Sequence, residues 1–175
     1  MSISPDTKNW TWVTERACPD CSFDASAVPL ADVPSLLRAA AASWPTILDR
    51  IDAEDRPDDS TWSALEYGAH VRDVVVVFTG RFTRMLTEED PILEDWDQDA
   101  AALTGRYSEQ DPRVVGDQLV TAGEALAILL EEIPADAATR TCLRSDGSRF
   151  TVASLARYFV HDVVHHVWDV TRPRP

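Results

Sequence analysis

The sequence predicts an all-α protein: a four-helix bundle with a long crossover loop between helices 2 and 3 and a short β-hairpin before helix 4. Three observations lead there. Four long segments repeat apolar residues at helical spacing, while strand-like alternation is confined to one short stretch. The 175 residues, 45% hydrophobic and 26% charged, fit a single globular domain that buries roughly 70% of its unfolded surface. Eleven prolines and six glycines punctuate long ordered elements rather than fill them.

Residues 1–31 read as an irregular leader carrying Trp10, Trp12 and Cys18-Pro-Asp-Cys21, and the bundle occupies 32–172. A first helix starts at Asp32, an N-cap residue with Pro34 tolerated in the first turn. Its stripe is Leu36, Leu37, Ala40, Trp44, Ile47, Leu48 and Ile51, with a kink expected at Pro45. After a polar linker, Ser63-Ala-Leu-Glu66 forms a capping box for the second helix. That helix carries Leu65, Ala69, Val74, Val77, Phe78, Phe82 and Met85. The β-branched run Val74–Val77 could be a strand, but helical spacing continues on both sides of it. Residues 87–110 form a long acidic connection containing Asp95-Trp96-Asp97-Gln98-Asp99; connections of this length are usually functional or mobile. Asp111-Pro112 opens the third helix, with Val115, Leu119, Ala122, Leu126, Leu129, Leu130 and Ile133 as its stripe and Pro134 as its stop. Cys142–Phe150 reads as a hairpin turning at Ser145-Asp146-Gly147. The last helix runs from about Thr151 to Val170 and is closed by Pro173.

A net charge of −14 and a pI near 4.5 argue against nucleic acid and anionic membranes as partners, since both require basic patches. No apolar stretch is long enough to span a bilayer, and Met1–Arg16 lacks the apolar core of a signal peptide. A cytoplasmic protein is expected, and three cysteines are too few for a disulfide framework there.

The four histidines are the most informative residues. His70 lies on the second helix, in register with Val74 and Val77. His161, His165 and His166 lie on the last. His161 and His165, four apart, point the same way in a helix, and Tyr158 and Trp168 flank them on that face. With His70 they make a three-nitrogen metal site with an open position, the pattern of catalytic rather than structural zinc. Three imidazoles suit zinc and nickel first, and also iron or copper. His166 could instead be the inward residue, or a surface histidine paired with Asp162 or Asp169. Alternatively, His70 is a core histidine bonded to a carbonyl.

Other candidates have plainer readings. Cys18 and Cys21 have the spacing of a zinc clip or redox pair, with Cys142 as a further ligand, or they are simply free thiols. His161-Asp-Val-Val-His165 echoes the His-Glu-x-x-His protease pattern, but an aspartate is one methylene too short to serve as its base. Glu66 is an outer acceptor or general base for the site or, more simply, the capping residue. Asp73 is a solvated or salt-bridged helix residue, and Arg157 lines the site mouth or is an ordinary surface arginine. There is no Glu-x-x-His pair for a di-iron site, no phosphate-binding loop and no nucleophile elbow.

The start Trp62-Ser-Ala-Leu-Glu-Tyr-Gly-Ala-His70 and the ending His161-Asp-Val-Val-His165-His166 resemble the DinB/YfiT-like superfamily over roughly residues 33–170. The leader and the Trp-Asp-Gln-Asp loop are similar to those of an actinobacterial subgroup. The resemblance implies a four-helix bundle with a three-histidine metal site, its ligands falling on His70, His161 and His165. It also implies relatives among mycothiol- and bacillithiol-dependent transferases and isomerases, including the N-terminal domain of mycothiol-dependent maleylpyruvate isomerase. The expected function is thus metal-dependent S-transfer from a low-molecular-weight thiol to an electrophile, with the Trp96 loop over the opening. The alternatives are hydrolysis through metal-bound hydroxide and non-catalytic binding of a metal or small ligand. Relatives often pair as dimers, and the sequence itself is silent on oligomeric state.

Overall fold

A computed structural model describes residues 10–172. The expected stop at Pro173 and the first nine leader residues lie outside them. The elements are α1 (Val33–Leu48), α2 (Ala64–Thr87), β1 (Ile92–Leu93), α3 (Gln98–Thr104), α4 (Pro112–Glu131), β2 (Thr141–Arg144), β3 (Arg149–Thr151) and α5 (Val152–Thr171). The four long helices α1, α2, α4 and α5 form the bundle.

Local chemistry sets most of the helix ends. Ser63 Oγ accepts from the Glu66 amide and the Glu66 carboxylate accepts from the Ser63 amide, the reciprocal capping box expected at α2. Asp111 accepts from the amides of Arg113 and Val114, with Pro112 at the first helical position of α4. Thr151 and Ser154 cap α5 in the same reciprocal way. Asp32 precedes α1 without a side-chain cap. Pro45 is accommodated near the end of α1, which stops three residues later. Ile51, expected on the α1 stripe, therefore lies beyond the helix and is fully exposed. The Val74–Val77 run is helical, with Val74 and Val75 buried and Val76 outward.

Around the bundle, α1 packs on α4 and α5, α2 packs on the same two helices, and α1 and α2 meet only weakly across the diagonal. The helices α1 and α2, consecutive in the chain, thus sit on one diagonal and α4 and α5 on the other, while α2 and α4, joined by the long crossover, lie side by side. Trp44, fully buried, fills the centre, and a Cβ on Gly68 of α2 would come within 3.2 Å of its ring. A Cβ on Gly123 would lie 2.9 Å from the Ala41 Cβ, so α4 and α1 approach at a distance only glycine allows there. Between α2 and α5 the core is aromatic, with Phe159 5.0 Å from Phe78 and 6.2 Å from Phe82 between ring centroids.

The hairpin is present and turns at Gly147, whose φ of +87° lies in the left-handed region. It gains a third strand that local sequence does not announce: β1, from the crossover, pairs in parallel with β2. The crossover also holds α3, capped by Asp97. This small sheet fastens the crossover beside the N-terminal end of α5 and sets the position of Trp96.

In the leader, residues 11–14, 25–27 and 30–32 form 3₁₀ turns. Val13, Cys18 and Ala25 are buried, and Arg157 on α5 donates to the Val28 carbonyl at 3.0 Å. No helix among the described residues is long and apolar enough to cross a membrane.

Candidate metal centres

Successive residues of an α-helix are rotated by about 100°. The stretch His161-Asp162-Val-Val-His165-His166 therefore carries two overlapping pairs four apart, one beside the other. His161 and His165 face the leader. Asp162 and His166 face α2 and His70.

The first cluster is Cys18, Cys21, His161 and His165, whose ligand atoms all lie within 4.8 Å of one another. Cys18 Sγ is 3.7 Å from His165 Nδ1, and Cys21 Sγ is 3.9 Å from His161 Nε2. The Cys-Pro-Asp-Cys turn is closed by the Ser22 amide donating to the Cys18 carbonyl and the Cys18 amide donating to the Phe23 carbonyl. The Trp10 ring covers both imidazoles at 5.7 and 5.4 Å, and Trp168 packs on His165 at 5.3 Å.

The second cluster is His70, Asp162 and His166, again with ligand atoms within 4.8 Å. His166 Nε2 is 3.4 Å from Asp162 Oδ1. On its other side His166 Nδ1 donates to Asp169 Oδ2 at 3.0 Å. His70 is 2% exposed and its Nδ1 is buried without a hydrogen-bond partner among the described residues. Its ring stacks on Trp96 at 5.6 Å and packs against Trp62 at 5.2 Å and His166 at 4.9 Å.

The three expected ligands are thus divided: His161 and His165 stay together, but His70 joins Asp162 and His166. The physical reason is the rotation of one residue on α5. The neighbours that decide the register are the leader on one side and α2 on the other, and neither is local in sequence. The signal available was the doubled i,i+4 spacing itself, together with the need of a Cys-x-x-Cys pair for two more soft ligands. Cys142, the other expected partner for that pair, is buried in β2 outside both clusters. Glu66 is held by the capping box and by Arg56, whose Nε donates at 2.8 Å. Asp73 pairs with Arg72 at 2.8 Å and accepts from the Tyr107 hydroxyl at 2.6 Å.

The electrostatics of the two clusters differ. Burial, reinforced by the charge of His166, pushes His70 down to about 3, so its ring is neutral at pH 7. Burial likewise lowers His161 to about 4 and lowers His165. Burial also acts to lower His166, but its bonds to Asp162 and Asp169 outweigh that and raise it to about 10. Desolvation opposes the charge on Asp162, yet His166 holds it at about 2. In the second cluster the space between His166 Nε2 and Asp162 suits a proton or a divalent cation.

A pH prediction follows for protein stripped of metal with a chelator. An unfolded histidine titrates near ~6.5. Below that, unfolded His70 and His161 bind protons that the folded protein refuses, so stability falls as pH drops. His166 works in the opposite sense. Its contribution is complete below ~6.5 and is lost only as pH rises toward about 10, so it adds no slope in acid. Unfolding free energies from urea titrations between pH 6.5 and 5 should fall by up to ~1.4 kcal/mol per pH unit for each ring that burial keeps neutral. A flat profile would contradict their neutral burial.

A crossover four-helix bundle whose last helix brings together two clusters of side chains that could hold a metal ion is the class that fold and site together define. The chain belongs to the DinB superfamily, whose sequence model matches residues 30–170. Its fold is similar to that of YfiT from Bacillus subtilis, described as "a probable metal-dependent hydrolase with an unusual four-helix bundle topology". The two are 18% identical with a TM-score of 0.65, over 98% of this chain and 93% of that one. It is also similar to the mycothiol-dependent maleylpyruvate isomerase, at 16% identity and a TM-score of 0.62. That match covers 82% of this chain and 61% of the isomerase, so this chain spans less than two thirds of that protein. No curated protein matches the chain in sequence.

Proposed function

We propose that this protein is a metal-dependent enzyme that activates a low-molecular-weight thiol, with His70, Asp162 and His166 as the ligands of its reactive divalent ion. The observation that carries the reading is the incomplete donor set: two imidazoles and one carboxylate within 4.8 Å. The buried, unpartnered Nδ1 of His70 supports it, because a buried imidazole lacking polar partners is costly and coordination of the ring offsets that cost. Zinc and nickel suit this set, and iron is accommodated as well.

When bound, a divalent cation on two neutral rings and one carboxylate keeps a positive charge, which favours a thiolate over a thiol in the open position. The chain's own residues do the rest. Asp169 accepts from His166 Nδ1 and so keeps Nε2 aimed at Asp162. Trp62 and Trp96 wall the site with aromatic surface, which excludes water from around His70. Beyond Trp96 lies a shallow groove of about 270 Å³ lined by Val77, Arg81, Arg84 and Leu93 among others. It offers room for the body of a polar cosubstrate on the other side of Trp96.

The likeness in fold to a mycothiol-dependent isomerase supports a thiol as cosubstrate, and S-transfer to an electrophile is the reaction that fits it. Hydrolysis is the second reading, supported by the likeness to YfiT, and uses the same ligands with water in place of the thiol. The test is turnover of electrophiles by metal-loaded protein with and without mycothiol. The thiol reading requires activity only when thiol is present, together with a His70→Ala variant that loses about one metal equivalent per chain and its turnover. Thiol-independent turnover selects hydrolysis instead. Unchanged metal content in His70→Ala removes this site from both readings.

A further inference from the structure

We propose that Cys18, Cys21, His161 and His165 bind a structural zinc ion that fastens the leader to α5, separate from the open site of the proposed function. The donor set is complete in itself: two thiols and two imidazoles, converging within 4.8 Å. Tetrahedral zinc, with Zn–S near 2.3 Å and Zn–N near 2.0–2.1 Å, places neighbouring S and N ligand atoms ~3.6 Å apart. The observed separations of 3.7 and 3.9 Å are close to that edge, and they lie at the long end for hydrogen bonds to sulfur.

The charges agree. Two thiolates neutralise a zinc ion fully, so the filled cluster is uncharged and suits a place where Cys18 is 1% and His161 4% exposed. Each thiol gives up its proton to solvent as zinc enters, and no oxidation is involved. The open cluster, with one carboxylate, cannot be neutral in the same way. Donor count and charge thus separate a closed structural ion from an exchangeable reactive one.

The surroundings of the first cluster are those of a covered core. Trp10 lies over both imidazoles, Trp168 packs on His165, and Arg157 holds the Val28 carbonyl. His165 Nε2, the nitrogen turned away from Cys18, lies 3.7 Å from Asp169 Oδ2. At that distance the carboxylate acts through its charge rather than a hydrogen bond, and it favours a cation bound on the other side of the ring.

The experiment is cobalt substitution and metal analysis on tag-free, full-length protein purified under reducing conditions. Wild-type protein should bind close to two metal equivalents per chain, and its cobalt form should show a thiolate-to-cobalt charge-transfer band in the near ultraviolet. His70→Ala should keep that band while losing one equivalent, which isolates this site from the open one. Cys18→Ser and Cys21→Ser should each lose the band. If either serine variant fails to fold, the wild-type and His70→Ala spectra still decide. Cobalt-loaded wild-type protein without a thiolate band, or a Cys18–Cys21 disulfide in freshly reduced protein, would overturn the proposal. A band that persists in His70→Ala with no drop in metal content upholds the zinc site and counts only against the reading of the open one.

Discussion

His166→Ala is expected to empty the open site and leave the thiolate-bound ion in place, while His165→Ala does the reverse. The two residues are neighbours on α5, yet their rings belong to different clusters: His165 Nδ1 lies 3.7 Å from Cys18 Sγ, and His166 Nε2 lies 3.4 Å from Asp162 Oδ1. Removing a direct ligand should exceed the ~10–100-fold loss of affinity typical of losing an outer partner. Metal content after dialysis, read together with the cobalt spectrum, distinguishes the variants. His166→Ala also leaves Asp162 and Asp169 without the cation between them. That should lower the melting temperature, though by less than for a fully buried pair, because the Asp162 side chain is 33% exposed. If His165→Ala alone empties the site that contains His70, the ligand set expected from sequence, His70 with His161 and His165, is restored and the grouping of His70 with Asp162 and His166 falls.

Asp169→Asn should weaken both sites at once. One of its carboxylate oxygens accepts from His166 Nδ1 at 3.0 Å and lies 3.7 Å from His165 Nε2. It therefore stands behind one ligand of each cluster. Asparagine keeps the volume and removes the charge that makes each imidazole a better donor. Competition with a chromophoric chelator should show a ~10–100-fold loss of affinity at the open site, where Asp169 is hydrogen-bonded to the ligand, and a smaller loss at the thiolate site. A loss confined to the open site would mean that the longer contact to His165 contributes nothing. A loss at neither would leave Asp169 as a simple partner of protonated His166.

The parts of the fold legible in sequence are those fixed by nearby residues. Ser63 and Glu66 cap each other three residues apart, Asp111-Pro112 opens a helix by itself, and Gly147 turns a hairpin between adjacent strands. The pairing of β1 with β2 joins Ile92 to Leu143, and no local pattern announces a two-residue strand that depends on a partner so far away. The order of helices around the core is hidden for the same reason. With the site, the residue types were legible and their grouping was not. Helical spacing relates His161 to His165 and Asp162 to His166 equally well. Only the packing partners choose between them, and one partner is an aperiodic leader whose path cannot be read from hydrophobic repeats. The presence of His70 among buried valines was readable, but its pairing with the next register of α5 required the three-dimensional neighbour.

The apposition of Cys18 and Cys21 with His165 and His161 has a further consequence for biosynthesis. The paired residues are 147 and 140 positions apart in the chain. At ribosomal speeds of roughly 5–20 residues per second, the thiols wait ~7–30 s before their histidines are made. During that interval they are exposed to oxidants and stray metals. Once the last helix docks, the same separation becomes an asset. A cross-link closing so large a ring removes on the order of 5 kcal/mol of chain entropy from the unfolded state, in the loop-closure treatment used for disulfides. In a compartment too reducing for disulfides, a metal clip would give this acidic bundle the staple that secreted proteins obtain by oxidation.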